Sequence, residues 1–594
     1  MSHSDWNSLG PRLTESGTDF CVWAPHAKAV HLAGDFNNWS ESASPLERGD
    51  DDCWRLSVAE ASAGSEYKFV ITTDTGKLWK NDPRARAMTN SSGNSVVVDD
   101  SHFDWGNDDQ FQTRGWNELV IYELHLGTFF RGDDENTVGN FDDAIQRLDH
   151  LAGLGINAIE LMPVAEFPGG QSWGYNPAFP FAIESDYGGV DGLKRFVKAA
   201  HELSIAVLID VVYNHLGPGD LDMWQFDGWS ENGMGGIYFY NDWRASTPWG
   251  DTRPDYGREE VRRYLRDNAL MWFDIFHVDG LRFDMTFYMR SVDDGAEIPE
   301  GWSLAQWINH DIKTHYPDAL TIAEDLRSNE WITKETGAGG AGFGSQWDEQ
   351  FVHPVREILT AQDDEHRSLQ KVATAIGFQY NGAPFQRVIY TESHDEVANG
   401  KSRVPTEVDE FEQEGYWARK RSILGACLTM TSPGIPMIFQ GQEFLATGHF
   451  NDEGQMDWNA PEHKKGVIRT YRDLIRLRTN RDGESAGLQS PEFQIRHLDQ
   501  ENKVLTFTRG SGADEILVVM SFSMNETNTY RVGFSQAGNW KLLFHSDSKV
   551  YGEDFGDKSL YDIGTEDVPY GDLPASAEIQ LGSYDCAIFG YSGG

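Results

Sequence analysis

The stretch LVIYELHLGTFFRGDDENTVGN, residues 119–140, decides between two folds. Its first eight residues form an apolar, aromatic and β-branched run of strand length, and the rest is the turn into the next segment. A doubly wound nucleotide-type sheet would place a Gly-rich phosphate turn there, with the spacing GxGxxG. LGTFFRGDDENTVGN does not have that spacing. Similar runs recur at 158–164 (AIELMPV), 206–214 (AVLIDVVYN), 280–285 (GLRFDM), 320–326 (LTIAEDL), 345–351 (SQWDEQF), 388–396 (VIYTESHDE) and 435–443 (IPMIFQGQE). Helix-like segments such as FDDAIQRLDHLAGLG, GLKRFVKAAHELS and REEVRRYLRDNALMWFDIF alternate with them. Strand followed by helix, repeated, means a parallel sheet. Eight such strands predict an α/β fold, a closed (β/α)8 TIM barrel over residues 113–485. Its length beyond the usual ~250 residues leaves room for a loop insertion around 216–256.

On either side the rhythm changes. Residues 1–112 alternate apolar and polar in short runs, FCVWA, AVHLAGDF, WRLSV, EYKFVITT and NSVVVD, broken by Gly, Asn, Asp and Pro. That pattern predicts a small β-sandwich. Residues 486–594 return to it with KVLTFTRG, EILVVMSFS, TYRVGF, NWKLLFHS, AEIQL and CAIFGY, predicting a carboxyl-terminal β-sandwich. A chain of 594 residues predicts about three or four domains, since a single core stops growing at roughly 250–300 residues, and these runs mark three.

Composition narrows the partners. A net charge of −45 argues against nucleic acid and anionic membrane, which need a basic face, and favours a neutral substrate. The amino terminus lacks a basic segment followed by an apolar one, and no run of about 18 apolar residues occurs, so neither a leader nor a membrane span is expected. Cys21, Cys53, Cys427 and Cys586 have no CxxC spacing, which disfavours a zinc site and gives no reason to assume disulfides. The expected compartment is the cytoplasm.

In a (β/α) barrel the chemistry sits at the carboxyl ends of the strands. Three runs end in a carboxylate that a strand pattern does not explain: Asp284, Glu324 and Asp395. The same reasoning adds Asp210, Asn214 and His215, and Arg282, which two residues before Asp284 shares its face of the strand. Converging carboxylates suit glycosidic cleavage, where one attacks the sugar and another, its pKa raised, protonates the leaving oxygen. Arg282 would keep a neighbouring carboxylate ionised, and a carboxyl without such a partner could hold its proton. Carboxylates alone suit a magnesium- or calcium-dependent phosphoryl site equally well. Aromatics near strand ends, Trp173, Tyr175, Tyr122, Phe283 and Trp458, favour stacking on sugar rings, and no phosphate-cradling loop is present.

At these residues the chain resembles the α-amylase family, glycoside hydrolase family 13. Its four short regions are matched in order by DVVYNH (210–215), GLRFD (280–284), AED (323–325) and SHDE (393–396). The resemblance implies Asp284 as nucleophile, Glu324 as general acid and base, and Asp395 as transition-state stabiliser. Arg282, His215 and His394 would hold the sugar before the scissile bond with Tyr175 stacking on it, and Asp210 and Trp173 join the substrate-binding set. FCVWAPHAKAVHLAGDFNNW is similar to the starch-binding-like β-sandwich that precedes the barrel in branching enzymes, isoamylases and maltooligosyltrehalose trehalohydrolases.

Within the family SHDEVANGKSR and TIAED look like branching enzymes, whereas YELHLGTF, ELMPVAEFPG, WGYNPAFPFA, SDYGG and DVVYNHLGPG look like trehalohydrolases. The implied activity is 1,4-α-glucan branching, with hydrolysis of α-1,4-glucan or maltooligosyltrehalose as the alternative. A catalytically dead glucan-binding scaffold is the third class. The implied partner is an α-glucan. No cofactor and no required metal are expected, although Asn214 matches a position that binds calcium in many amylases. Residue identity alone leaves open whether Trp23, Trp39 and Trp54 bind glucan, and whether Lys401 and Arg403 touch an acceptor.

Overall fold

The computed structural model describes residues 9–132, 138–556 and 558–593. Residues 1–8, 133–137 and 594, on which parts of the leader, first-turn and domain-end expectations rest, lie outside them. Eight parallel strands close into a barrel: β1 (Ile121–Leu124), β2 (Ala158–Leu161), β3 (Ala206–Val211), β4 (Gly280–Phe283), β5 (Leu320–Ala323), β6 (Ser345–Trp347), β7 (Arg387–Ile389) and β8 (Ile435–Phe439). Each is buried along its whole length, which is why the runs read as near-continuous Val, Ile and Leu. β8 pairs back onto β1 through Met437 opposite Ile121.

The strands are shorter than the runs that announced them, because the polar ends leave the ladder. Asp284 and Glu324 are the first residues beyond β4 and β5, and Asp395 lies in the loop well beyond Ile389. The second half of SQWDEQF is helical, since Asp348 caps a helix over Glu349–Thr360 by accepting from Gln350 N at 3.0 Å.

Helices pack outside the barrel on apolar stripes. In α1 (Glu259–Phe276), Val261, Tyr264, Leu265, Trp272 and Phe276 recur on one buried side. The helix stops at His277, whose φ of 54° ends the ladder. A short helix, α2 (Thr286–Arg290), directly follows the end of β4.

The amino-terminal β domain comprises a four-stranded and a five-stranded sheet, packed face to face where Phe20 meets Tyr67 at 4.8 Å between ring centroids. The carboxyl-terminal domain comprises a six-stranded and a two-stranded sheet over a core that includes Trp540, Phe534 and Phe589. Residues 216–256 carry only short 3-10 turns, Gly236–Tyr238 and Trp243–Ala245. The amino-terminal domain grips this segment. Asp227 Oδ2 accepts from His26 N and meets its Nδ1, both at 2.9 Å, and Asp222 Oδ2 accepts from Asn81 N and Nδ2, also at 2.9 Å.

Among the amino-terminal tryptophans, Trp23 and Trp54 are buried, with Trp54 Nε1 donating to Ala24 O. Trp39 is half-buried, and 6.4 Å away stands the exposed Trp79. The four cysteines are free and buried. Among the described residues no helix is long and apolar enough to cross a membrane.

Candidate active site

Register builds the centre of the site. Asp210 on β3 stands opposite Arg282 on β4. Arg282 and Asp284, two residues apart, project into the barrel together. The Arg282 guanidinium is fully buried, 4.4 Å from the Trp347 ring centroid. Its Nη1 lies 2.7 Å from Asp210 Oδ2 and 3.1 Å from Asp284 Oδ1, and its Nη2 lies 2.8 Å from Glu324 Oε2. The other Asp284 oxygen accepts from Asn214 Nδ2 at 2.7 Å. Both oxygens of this carboxylate are therefore held, which fixes where it points.

The chain turns sharply after Asp284. Met285 has a φ of 35°, a left-handed conformation that costs roughly 1–3 kcal/mol for a side chain with a Cβ. Glu324 holds it there. Met285 N donates to Glu324 Oε2 at 3.1 Å, and Thr286 N donates to Glu324 O at 2.7 Å.

One cation shared by three carboxylates cannot neutralise them all. Burial pushes the Glu324 carboxyl up to about 8 against the pull of Arg282, with Asp284 and Asp395 adding to the rise. Burial likewise raises Asp210 to about 7, opposed by Arg282 and assisted by Asp284. The expectation that a carboxyl keeps its proton for want of an arginine is thus corrected: Glu324 has the arginine and is raised regardless, because desolvation and like charge outweigh it.

The remaining residues line one side of this centre. The Tyr175 hydroxyl donates to Asp210 Oδ2 at 2.6 Å, and its ring stacks on His394 at 5.0 Å. Trp173 meets His394 edge-on at 5.8 Å. Glu123, pointing inward from β1, accepts from His394 N at 3.1 Å and pairs with His394 Nδ1, while His394 Nε2 stands 3.4 Å from Asp395 Oδ2. Burial alone would lower the His394 pKa, but the Asp395 and Glu123 carboxylates outweigh it and hold the imidazole up to about 10. The Asp395 side chain is 44% exposed and faces the open site.

His215 is arranged differently. Its Nδ1 sits 2.6 Å from Asn214 Oδ1 and its Nε2 sits 2.9 Å from Tyr175 O, so both ring nitrogens rest on protein oxygens. Asn214 is used on both sides too, by Asp284 and by His215.

Asp284, Glu324, Asp395, Arg282, Asp210, His394, Tyr175 and Trp173 are brought together here, whereas His215 stands behind Asn214 and Tyr175. Of the other aromatics, Tyr122 and Phe283 are fully buried and face away from the site, because the neighbours Glu123 and Arg282 take the inward positions. Trp458 packs on Phe129 and Phe130. Arg403 is structural, its Nη1 3.0 Å from Glu392 Oε2 and its Nη2 donating to Gln440 O, whereas Lys401 reaches Glu396 from the surface. Sequence reading missed Glu123, and it missed Trp249, whose indole stacks on the His215 imidazole with centroids 4.6 Å apart. A glutamate in mid-strand, flanked by Tyr and Leu, was the available signal for the first, and a tryptophan between Pro248 and Gly250 for the second.

Three family models match the chain. That described as carbohydrate-binding module 48 (isoamylase N-terminal domain) covers residues 8–85, the alpha amylase catalytic domain covers 126–220 and 222–492, and the alpha amylase C-terminal all-beta domain covers 495–592. A 1,4-alpha-glucan branching enzyme of Corynebacterium jeikeium (strain K411) is 32% identical over 98% of this chain and 83% of its own length. That of Marinobacter nauticus is 30% identical over 97% and 95%. Solved structures that share the fold include two pullulanases. They are a pullulanase with maltotetraose from Anoxybacillus sp. LM18-11, with a TM-score of 0.76 at 19% identity over 99% of this chain and 88% of that one, and a pullulanase type I with maltose from Bacillus subtilis str. 168, with a TM-score of 0.75 at 20% identity over 98% and 85%.

Proposed function

The chain belongs to the α-amylase family, and within it we propose that it is a 1,4-α-glucan branching enzyme, which cleaves an α-1,4 linkage with retention and transfers the released chain to a 6-hydroxyl as an α-1,6 branch. The observation that carries the chemistry is the Arg282 guanidinium bridging Asp284 and Glu324, with burial raising the Glu324 carboxyl so that it can hold the proton the first step needs. A retaining mechanism needs a nucleophile and a protonated acid only ~5 Å apart, and one guanidinium touching both keeps them close. Full-length similarity to branching enzymes supports transfer over hydrolysis.

In the first step Asp284 attacks the anomeric carbon while Glu324 gives its proton to the glycosidic oxygen. The C–O bond breaks, a glycosyl ester forms on Asp284, and Glu324 is left as a carboxylate. In the second step that carboxylate takes the proton of an acceptor 6-hydroxyl as its oxygen attacks the same carbon, and Asp284 is released. Charge on the oxocarbenium-like centre is met by Asp395, which His394 orients. Tyr175 and Trp173 offer the sugar their half-open rings, and Arg282 and Asp210 hold the floor. His215 keeps the Tyr175 backbone and Asn214 in place. A 2-fluoro glycosyl fluoride donor tests these roles. Mass spectrometry should find the trapped sugar on the peptide carrying Asp284, and a label elsewhere overturns them.

The same reading divides the chain near residues 112 and 485 and assigns Trp39 and Trp79 a glucan-binding face on the amino-terminal domain. It needs no metal to place Asn214, whose oxygen pairs with His215 and whose amide donates to Asp284. Nucleic acid and membrane surfaces are not its partners, given the charge of −45. Four free, buried thiols suit work in the cytoplasm.

A further inference from the structure

Trp249 occupies a turn, Thr247–Gly250, where polar residues ordinarily sit. Thr247 N donates to Gly250 O at 2.9 Å and Thr247 Oγ1 to the same carbonyl at 2.8 Å. One face of the indole covers the His215 imidazole, with centroids 4.6 Å apart and planes 14° off parallel. Trp249 is nevertheless 40% exposed, and no acceptor among the described residues takes its indole N–H. Its neighbour is Tyr288, edge-on at 5.4 Å on α2, four residues past the nucleophile. Tyr288 adjoins Phe287 at 5.1 Å, and the Arg327 guanidinium lies 4.6 Å from the Phe287 ring centroid. The contacts run unbroken from His215 to the segment just after Glu324.

Barrel order fixes which side of the scissile bond this ridge faces. Tyr175, Trp173, His394, Asp395 and Glu123 come from β1 and from the loops after β2 and β7, one arc of the ring. Trp249, Tyr288 and Arg327 come from the loops after β3, β4 and β5, the opposite arc, which also carries Glu324. A general acid and base must touch the oxygen that leaves the donor and later the hydroxyl that replaces it. The acceptor therefore lies over the arc of β3 to β5, along the Trp249 ridge. An open aromatic face with a free N–H beside it is the chemistry that recognises a pyranose, whose ring presents C–H groups on one face and hydroxyls at its edge.

We propose that Trp249, backed by Tyr288, is the acceptor platform, the residue that seats the incoming glucan so that its 6-hydroxyl, not water, meets Glu324. The inference rests on the branching reading and adds to it a determinant of transfer over hydrolysis.

The test uses the full chain with amylose and compares wild type, Trp249→Ala and Trp249→Phe. Proton NMR counts α-1,6 bonds, a reducing-end assay counts hydrolysis, and thermal melting checks the fold. The proposal expects Trp249→Ala to make about tenfold fewer branches per new reducing end, with a raised KM for added maltooligosaccharide acceptor, and Trp249→Phe to recover most of the ratio. An unchanged ratio overturns it, whether total turnover holds or falls, since a merely structural role through His215 would slow both outcomes together. A wild type that makes no α-1,6 bonds overturns the branching reading itself and is seen without any variant.

Discussion

Glu324 Oε2 lies 2.8 Å from Arg282 Nη2, and burial still holds the Glu324 carboxyl up to about 8. The first chemical step needs the proton on Glu324, so kcat/KM should fall as pH rises through about 8. Glu324→Gln removes both acid and base, and turnover should drop by roughly 10²–10⁴-fold with the alkaline limb gone. A pH–rate profile of the variant that keeps that limb assigns it to another group.

The Asn214 side chain is already engaged on both sides, its amide donating to Asp284 and its oxygen 2.6 Å from His215 Nδ1, so no cation is needed to hold it. Exhaustive chelation followed by dialysis is therefore expected to leave both branching rate and melting temperature unchanged. A loss that calcium restores would show that a metal holds this corner of the site.

His394 is held charged between Glu123 and Asp395, up to about 10 when folded against about 6.5 for an unperturbed imidazole. A raised folded pKa contributes stability that is fully present below about 6.5 and lost as pH climbs through about 10. Glu123→Gln removes the Glu123 share of that contribution and leaves that of Asp395. The melting-temperature gap between wild type and variant should be widest near pH 6.5 and should narrow as pH approaches 10. A gap that stays constant across this window means that the pair is not the source of the coupling.

The half-buried Trp39 and the exposed Trp79 stand 6.4 Å apart on a domain matched by a carbohydrate-binding module. Stacking of a base on one aromatic is worth about 1–3 kcal/mol, and a similar scale for a sugar predicts that the double alanine variant weakens binding to soluble glycogen at least tenfold. Turnover of short maltooligosaccharides should be unaffected. Affinity electrophoresis reads the first quantity, and equal retardation of wild type and variant contradicts the assignment.

The barrel was legible because its signals are local. Eight apolar runs with helical segments between them need no knowledge of distant contacts, and the alternation that puts Arg282 and Asp284 on one face follows from strand geometry. Alternation also explains why Tyr122 and Phe283 are core and not sugar platforms: their inward-facing neighbours, Glu123 and Arg282, had already claimed the interior. What the sequence withheld depends on long-range packing. The partner of His215 Nε2 is a carbonyl 40 residues away at Tyr175. The rise of Glu324 is a matter of burial, which no spacing encodes. Trp249 sits in an insertion braced by Asp222 and Asp227 against the amino-terminal domain, and loop geometry leaves no period to read.

The most direct measurement is to incubate the protein with amylose while following the α-1,6 anomeric proton signal and the reducing ends together. The branching account predicts that α-1,6 bonds accumulate while reducing ends stay nearly flat until a debranching enzyme is added. Rising reducing ends without an α-1,6 signal would contradict it and make water the acceptor.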